Sequence, residues 1–390
     1  MRVVVVAGPD PGHAFPAIAL CQRFAGAGVA ATVLTGGGWL AAARDAGVDG
    51  AELAGLDPTA ADDDADAGAR IHQRAARMAV QNLEQLTALA PDLVVSDVIT
   101  ACGGMAAELL GVPWIELSPH PLYLPSKGLP PIGSGLAPGS GMRGRLRDSL
   151  MRGLTARSLR AGLRQRAAAR AGIGLPGRDP GPLRRLIATL PALEVPRPDW
   201  PREAVLVGPL HFEPTEQVLT IPAGAGPLVV VAPSTALTGT AGLADVALEC
   251  LTPGVGLPAG ARVVVSRLDG PQLAVPPWAT VGLGRQDELL AHADVVVCGG
   301  GHGMVAKALL AGVPMVVVPG GGDQWELANR VARHGSGQLV RPLTGSALAA
   351  AVSAVLAEPS YRTAAGRAAA QAGRVADPVA VSLQALAEAG

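Results

Sequence analysis

Aromatic side chains are scarce: 390 residues hold three Phe, two Tyr and five Trp. Single-stranded nucleic acids are bound by stacking bases on such rings, so that role is not expected. Net charge is nearly absent as well. With 31 basic and 32 acidic side chains the balance is −1, which argues against a chain-wide surface for nucleic-acid phosphates. Only 16% of residues are charged and 49% are hydrophobic, the opposite of a disordered chain. The four cysteines (Cys21, Cys102, Cys250 and Cys298) stand far apart, with no CxxC and no Cys/His pair at zinc spacing. Neither a disulfide scaffold nor a structural metal site is expected, and a reduced, cytoplasmic setting fits. No apolar run approaches the roughly 18 residues of a membrane span. The opening run Val3–Ala7 stops at Gly8-Pro9-Asp10-Pro11, short of the roughly 7–15 residues of a signal-peptide core. The chain reads as soluble, and its first run as a buried strand.

What is present is alternation. Short β-branched runs trade places with helical patterns of ten to fifteen residues, the signature of βαβ units and parallel sheets. Strands are expected at Val3–Val6, Ala30–Leu34, Ala51–Leu53, Asp92–Ser96, Pro113–Leu117, Ile187–Leu190 and Ala204–Val207, with helices at 14–27, 39–46, 69–88 and 101–110. Pro and Gly dominate Pro119–Gly141, and an Arg-rich helical stretch follows to Ala171. A second series begins after residue 226: Leu228–Val231, Val263–Ser266, Thr280–Leu283, Val295–Cys298, Met315–Val318 and Gln338–Val340. The fold class is therefore α/β, with two doubly wound Rossmann-like domains, 1–212 and 227–390, joined by the Pro-containing linker 213–226. The closing helices are free to pack on either domain. Asp62–Asp66 reads as a solvated surface turn.

Several constellations fall at carboxyl ends of strands, where ligands of such folds bind. Gly8-Pro-Asp-Pro-Gly12-His13 follows the first strand and opens a helix. A helix amino terminus favours the neutral imidazole, and neutral His13 is a competent general base for a hydroxyl; a mere capping or gap-filling histidine is the plain alternative. Asp97, ending Leu93-Val94-Val95-Ser96, would accept the other ring N–H and stabilise the imidazolium, or cap the next helix. In Cys298-Gly-Gly-Gly-His302-Gly-Met304, four glycines at a strand-to-helix turn let backbone N–H groups approach a phosphate, unless they only make a tight turn. Pro233-Ser234-Thr235 is a matching hydroxyl-bearing turn. Asp323 and Gln324, after Met315–Val318, suit hydrogen bonding to vicinal sugar hydroxyls, with Asp323 as a helix N-cap the alternative reading. No GxSxG elbow, HExxH or EF-hand loop is present. His72, His211, His292 and His334 are isolated; His120, after Leu117-Ser118-Pro119, lines the cleft at most.

Taken together, Gly12-His13, Val95-Ser96-Asp97, Gly208-Pro209 and GGGHGMVAKALLAGVPMVVVPGGGDQ (299–324) resemble the UDP-glycosyltransferase-like superfamily of GT-B fold, bacterial natural-product and lipid glycosyltransferases above all. The resemblance implies an inverting, metal-independent, cofactor-free transfer of a sugar from a nucleotide-diphosphate sugar (UDP or TDP) to a hydroxyl of a small lipophilic or natural-product acceptor. The acceptor would lie against the amino-terminal domain and the donor mostly against the other. His13 would be the base and Asp97 its partner. Ser234, Thr235, Gly300, Gly301, His302 and Gly303 would approach the donor phosphates, Gln286 the base, and Asp323 and Gln324 the sugar. Three positions depart from the family pattern: Gly299 stands for its His, Met304 for its Thr and Lys307 for its Glu. Losing that His removes a charge-assisted bond to the diphosphate, a role left to His302. A non-catalytic member that binds a nucleotide sugar or lipophilic ligand is the competing expectation.

The stretch Met142–Arg170 carries nine Arg against one acid, Asp148, with Leu146, Leu150 and Leu154 at helical spacing. The plainer expectation is that those leucines pack on the first domain. The other is peripheral contact of residues 142–170 with an anionic membrane.

Overall fold

The computed structural model describes residues 1–57, 67–236, 238–268 and 275–389; the acidic turn Asp62–Asp66 lies outside them. Among the described residues thirteen strands form two sheets. The first contains β1 (Arg2–Val6), β2 (Ala30–Thr35), β3 (Asp49–Glu52), β4 (Leu93–Asp97), β5 (Trp114–Ser118), β6 (Arg185–Ile187) and β7 (Ala204–Leu206). The second contains β8 (Leu228–Ala232), β9 (Arg262–Ser266), β10 (Ala279–Gly282), β11 (Val295–Cys298), β12 (Met315–Val317) and β13 (Gly337–Leu339). Their orders are β3-β2-β1-β4-β5-β6-β7 and β10-β9-β8-β11-β12-β13, every pairing parallel. Strands covered by helices on both faces need no polar side, so β1, β8 and β11 are almost unbroken valine.

Strand order reverses between β1 and β4 in the first sheet and between β8 and β11 in the second. Such reversals open a crevice at the carboxyl ends of the flanking strands. Both crevices face each other across the interdomain gap: Thr189, past β6, is hydrogen-bonded to His302, past β11.

The helix expected over 69–88 is divided into Ala67–Gln81 and Leu83–Leu89. Asn82 causes the break, its amide reaching back to both backbone groups of Ala54 and to Met78 O. The closing helix Pro378–Ala389 crosses back to the first sheet. Val379 and Ala385 join the core around Leu20 and Phe24, whereas the helix Pro359–Gln371 buries Ala365 and Ala368 in the second domain.

The Arg-rich helix runs over Gly141–Ala171, and here the plainer expectation fails. Leu146, Leu150 and Leu154 are 61%, 63% and 81% exposed. The helix is held instead through Arg170, buried in a bidentate pair with Glu108 at 2.7 and 2.8 Å. Among the described residues no helix is long and apolar enough to cross a membrane.

Candidate active site

The turn after β1 is pinned from β2, as Thr35 Oγ1 donates to Gly8 O at 2.9 Å and Trp39 Nε1 to Pro9 O at 2.6 Å. Pro11 then starts a helix, a position where its missing N–H costs nothing. His13 therefore falls in the first turn. Parallel register sets Val6 beside Ser96, so the next residue of β4, Asp97, meets the His13 ring. His13 Nδ1 lies 2.8 Å from Asp97 Oδ2; the imidazole is 18% exposed and the carboxylate fully buried. Asp97 Oδ1 accepts from Ile99 N (3.0 Å), Thr100 N (3.2 Å) and Thr100 Oγ1 (3.3 Å). The carboxylate thus orders the loop and orients the ring at once. An ionised carboxylate only accepts, so Nδ1 carries the proton and Nε2 the lone pair.

The helix terminus is not the only influence on the ring. Burial opposes the imidazolium, but the hydrogen bond and charge of Asp97, with Asp10 and Asp323 nearby, hold the His13 pKa above its ordinary value. Three carboxylates together outweigh the burial of the ring.

Sequence reasoning undervalued His120. Its ring stands edge-on to His13, centroids 6.3 Å apart, and stacks on Tyr123 at 4.5 Å. Its Nδ1 donates to Pro121 O at 2.8 Å, and burial pushes its pKa down, so it is neutral. The signal was the one that marked the other candidates, a polar residue just past a strand's carboxyl end. Tyr123 had no such signal. Its hydroxyl is buried without a hydrogen bond, beneath the Arg330 guanidinium at 5.6 Å from the ring centre.

Across the gap, the turns after β8 and β11 are packed against each other. A Cβ on Gly299 would stand 2.7 Å from Ser234 Cβ and 2.8 Å from Ser234 N, so no side chain fits there. Gly300 has φ +82°, and a Cβ on it would sit 2.9 Å from Val317 Cγ1. Gly301 caps the helix His302–Leu310 with no side-chain hydrogen bond. Around Gly301 and Gly303 the space is open.

His302 does not offer its ring to that space. The ring reaches Thr189 Oγ1 at 2.8 Å, and burial holds its pKa well below the ordinary value. It ties the domains together as a neutral group and brings no positive charge. Gln324 is likewise occupied: it is 2% exposed, accepts from Gly320 N at 3.0 Å and donates to Ser234 Oγ at 2.8 Å. Asp323 is exposed in the first turn of its helix, and Gly322 takes the cap position instead.

Lys307 is not free either. Its Nζ binds Glu213 Oε1 at 2.6 Å and Gln286 Oε1 at 3.1 Å, while Gln286 Nε2 donates to Ser266 Oγ at 3.3 Å. Ser234, Thr235, Gln286 and Lys307 line one cavity of ≈ 430 Å³ with Phe15 of the first domain. The structure thus gathers two groups, His13–Asp97 with Asp323 nearby, and Ser234, Thr235 and Gln286 around the cavity.

Residues 274–387 match the family model of the C-terminal domain of erythromycin biosynthesis protein CIII-like proteins. The chain is 34% identical over 294 residues to 4'-demethylrebeccamycin synthase of Lentzea aerocolonigenes, covering 71% of this chain and 69% of that protein. Among solved structures, the glycotransferase of kitacinnamycin superimposes with a TM-score of 0.73 at 23% identity over 98% of this chain and 97% of its own. The Streptomyces sp. SF2575 glycosyltransferase SsfS6, complexed with thymidine diphosphate, does so with 0.64 at 22% identity over 100% of both. Facing Rossmann-like domains, and a sequence shared with a curated relative over most of both chains, lead to one family. The chain belongs to the natural-product glycosyltransferases of the UDP-glycosyltransferase-like superfamily, with the GT-B fold.

Proposed function

We propose that this glycosyltransferase works with inversion, passing a sugar from a TDP- or UDP-sugar to a hydroxyl of a small lipophilic aglycone, with His13 as the base. Residues 1–212, completed by the closing helix, would hold the acceptor; 227–390 would hold the donor, with 213–226 the joint. His13 Nε2 takes the acceptor's proton as its oxygen bonds to the anomeric carbon. The bond from that carbon to the diphosphate breaks, and the diphosphate leaves. Asp97 holds the ring and stabilises the imidazolium. The leaving charge is met by backbone N–H groups at Gly301–Gly303 and the helix dipole behind them. Gly300 shapes that turn, while His302 serves through its backbone because its ring is committed to Thr189. Ser234 and Thr235 face the phosphates, and Gln286 the nucleotide at the cavity. Asp323 binds the sugar hydroxyls, and Gln324 acts behind Ser234 by fixing its hydroxyl.

The observation that carries this reading is the buried carboxylate holding a half-enclosed imidazole whose second nitrogen remains available. A thymidine diphosphate complex of one structural relative and a spinosyn aglycone complex of another, the spinosyn rhamnosyltransferase SpnG, support the substrate classes. The test is His13→Ala. Turnover with the best donor–acceptor pair from a TDP- and UDP-sugar screen should fall by on the order of 10²–10⁴, with donor affinity by calorimetry unchanged. Retained turnover removes the base assignment.

A further inference from the structure

The long helix Gly141–Ala171 is exposed to solvent along most of its length. Met142, Leu146, Leu150 and Leu154 are between 61% and 82% exposed. At a spacing of four residues they drift slowly round the helix and form a ridge about 18 Å long. Helical phase places Arg143, Arg157, Arg160 and Arg164 on the same side, all exposed and none paired with a carboxylate among the described residues. The helix's one acid, Asp148, lies on the opposite side. It is buried there, with its carboxylate bound by Gly139 N at 2.7 Å and Arg147 at 2.7 Å. Among the described residues the helix's own solvent face is thus apolar and basic, with no negative charge.

That combination selects the occupant. A second copy of the same face would set arginine against arginine. An anionic phospholipid bilayer satisfies both components: leucines enter the interfacial zone while guanidinium groups reach lipid phosphates. Placement agrees with this. The helix grips the segment that leaves β5 at the cleft, Arg152 donating to Leu129 O and Arg147 to Ala137 O, both at 2.7 Å. Docking by this face would bring the acceptor side of the cleft to the lipid phase, where a lipophilic acceptor concentrates. We propose that the Met142–Arg164 face docks the enzyme on an anionic membrane surface.

The test is co-sedimentation of the full chain with phosphatidylcholine vesicles, with and without phosphatidylglycerol, at low and high salt. Binding is expected only with phosphatidylglycerol and only at low salt, since surface charges are screened beyond about 3 Å at 1 M. Each basic residue contributes about fivefold to partition, so Arg143→Glu/Arg157→Glu/Arg164→Glu should weaken binding by at least about a hundredfold. Leu146→Ser/Leu150→Ser/Leu154→Ser should also release it. Both variants should keep wild-type melting and turnover of a soluble acceptor; a set that misfolds leaves the other to decide. No sedimentation of wild type at low salt overturns docking, as does wild-type binding by the arginine variant. Retention on immobilised polyglutamate without vesicle binding also overturns it, in favour of an acidic protein partner. Docking does not rest on the sugar-transfer reading, so the two fail separately.

Discussion

Asp97→Asn isolates the dyad at one atom. Oδ1 of Asp97 accepts two backbone N–H groups, from Ile99 at 3.0 Å and Thr100 at 3.2 Å. In the variant the amide oxygen must keep that side, because an NH₂ there would face two donors. The NH₂ is then turned on His13 across the 2.8 Å contact. Nδ1 is forced to accept, and the ring proton moves to Nε2, the nitrogen proposed to take the acceptor's proton. The shape of the side chain is unchanged, so the fold should survive. The loss in kcat should be on the order of 10²–10⁴, about 3–5 kcal/mol. The pH profile adds an independent readout. Asp97 helps to raise the His13 pKa against burial, and a base works only when neutral. Wild-type activity should therefore fall as pH drops through a value above 6.5, and the variant's acid limb should move to lower pH. Initial rates of nucleoside diphosphate release across pH, with donor affinity by calorimetry, measure both effects. A variant within about tenfold of wild type in kcat, with an unmoved acid limb, would refute the reasoning.

Other outcomes follow from the same contacts. Gly299→Ala places a Cβ 2.8 Å from the Ser234 backbone nitrogen, which cannot swing aside; overpacking should cost ~1–3 kcal/mol and raise the donor KM. Unchanged urea unfolding and KM would remove the close-packing argument. Burial lowers the pKa of His211 to about 3 and those of His120 and His302 below 6.5, so below 6.5 the unfolded chain takes up protons that the folded one refuses. Stability should decline with acidification by up to ~1.4 kcal/mol per pH unit for each. His13 has the opposite sign: its contribution is complete below 6.5 and is lost as pH rises through its raised folded value. Urea midpoints that stay level from neutral pH down to about 5 would contradict the majority sign.

The two-sheet architecture was legible because strands buried on both faces must be apolar throughout, and Val3–Val6 and Val295–Val297 are. Glycine and proline marked where each such strand ends, and parallel sheets gather ligands at those ends. The places of His13, Asp97, Ser234 and Asp323 at or just past strand ends were legible in that pattern. Orientation across the gap was not legible in the same way. His302 finds Thr189 from 113 positions away, and Lys307 finds Glu213 from 94. Local pattern states that a side chain will be covered and is silent about which distant element covers it.

The sequence by itself determined the two doubly wound parallel sheets and the residue types delivered to the carboxyl ends of their strands, since these depend on short-range periodicity and punctuation. Only the tertiary structure decided that three carboxylates raise the His13 pKa, that the His302 ring ties the domains together, and that Leu146, Leu150 and Leu154 face solvent. Through-space charge and the covering of a helix face depend on which elements meet in three dimensions.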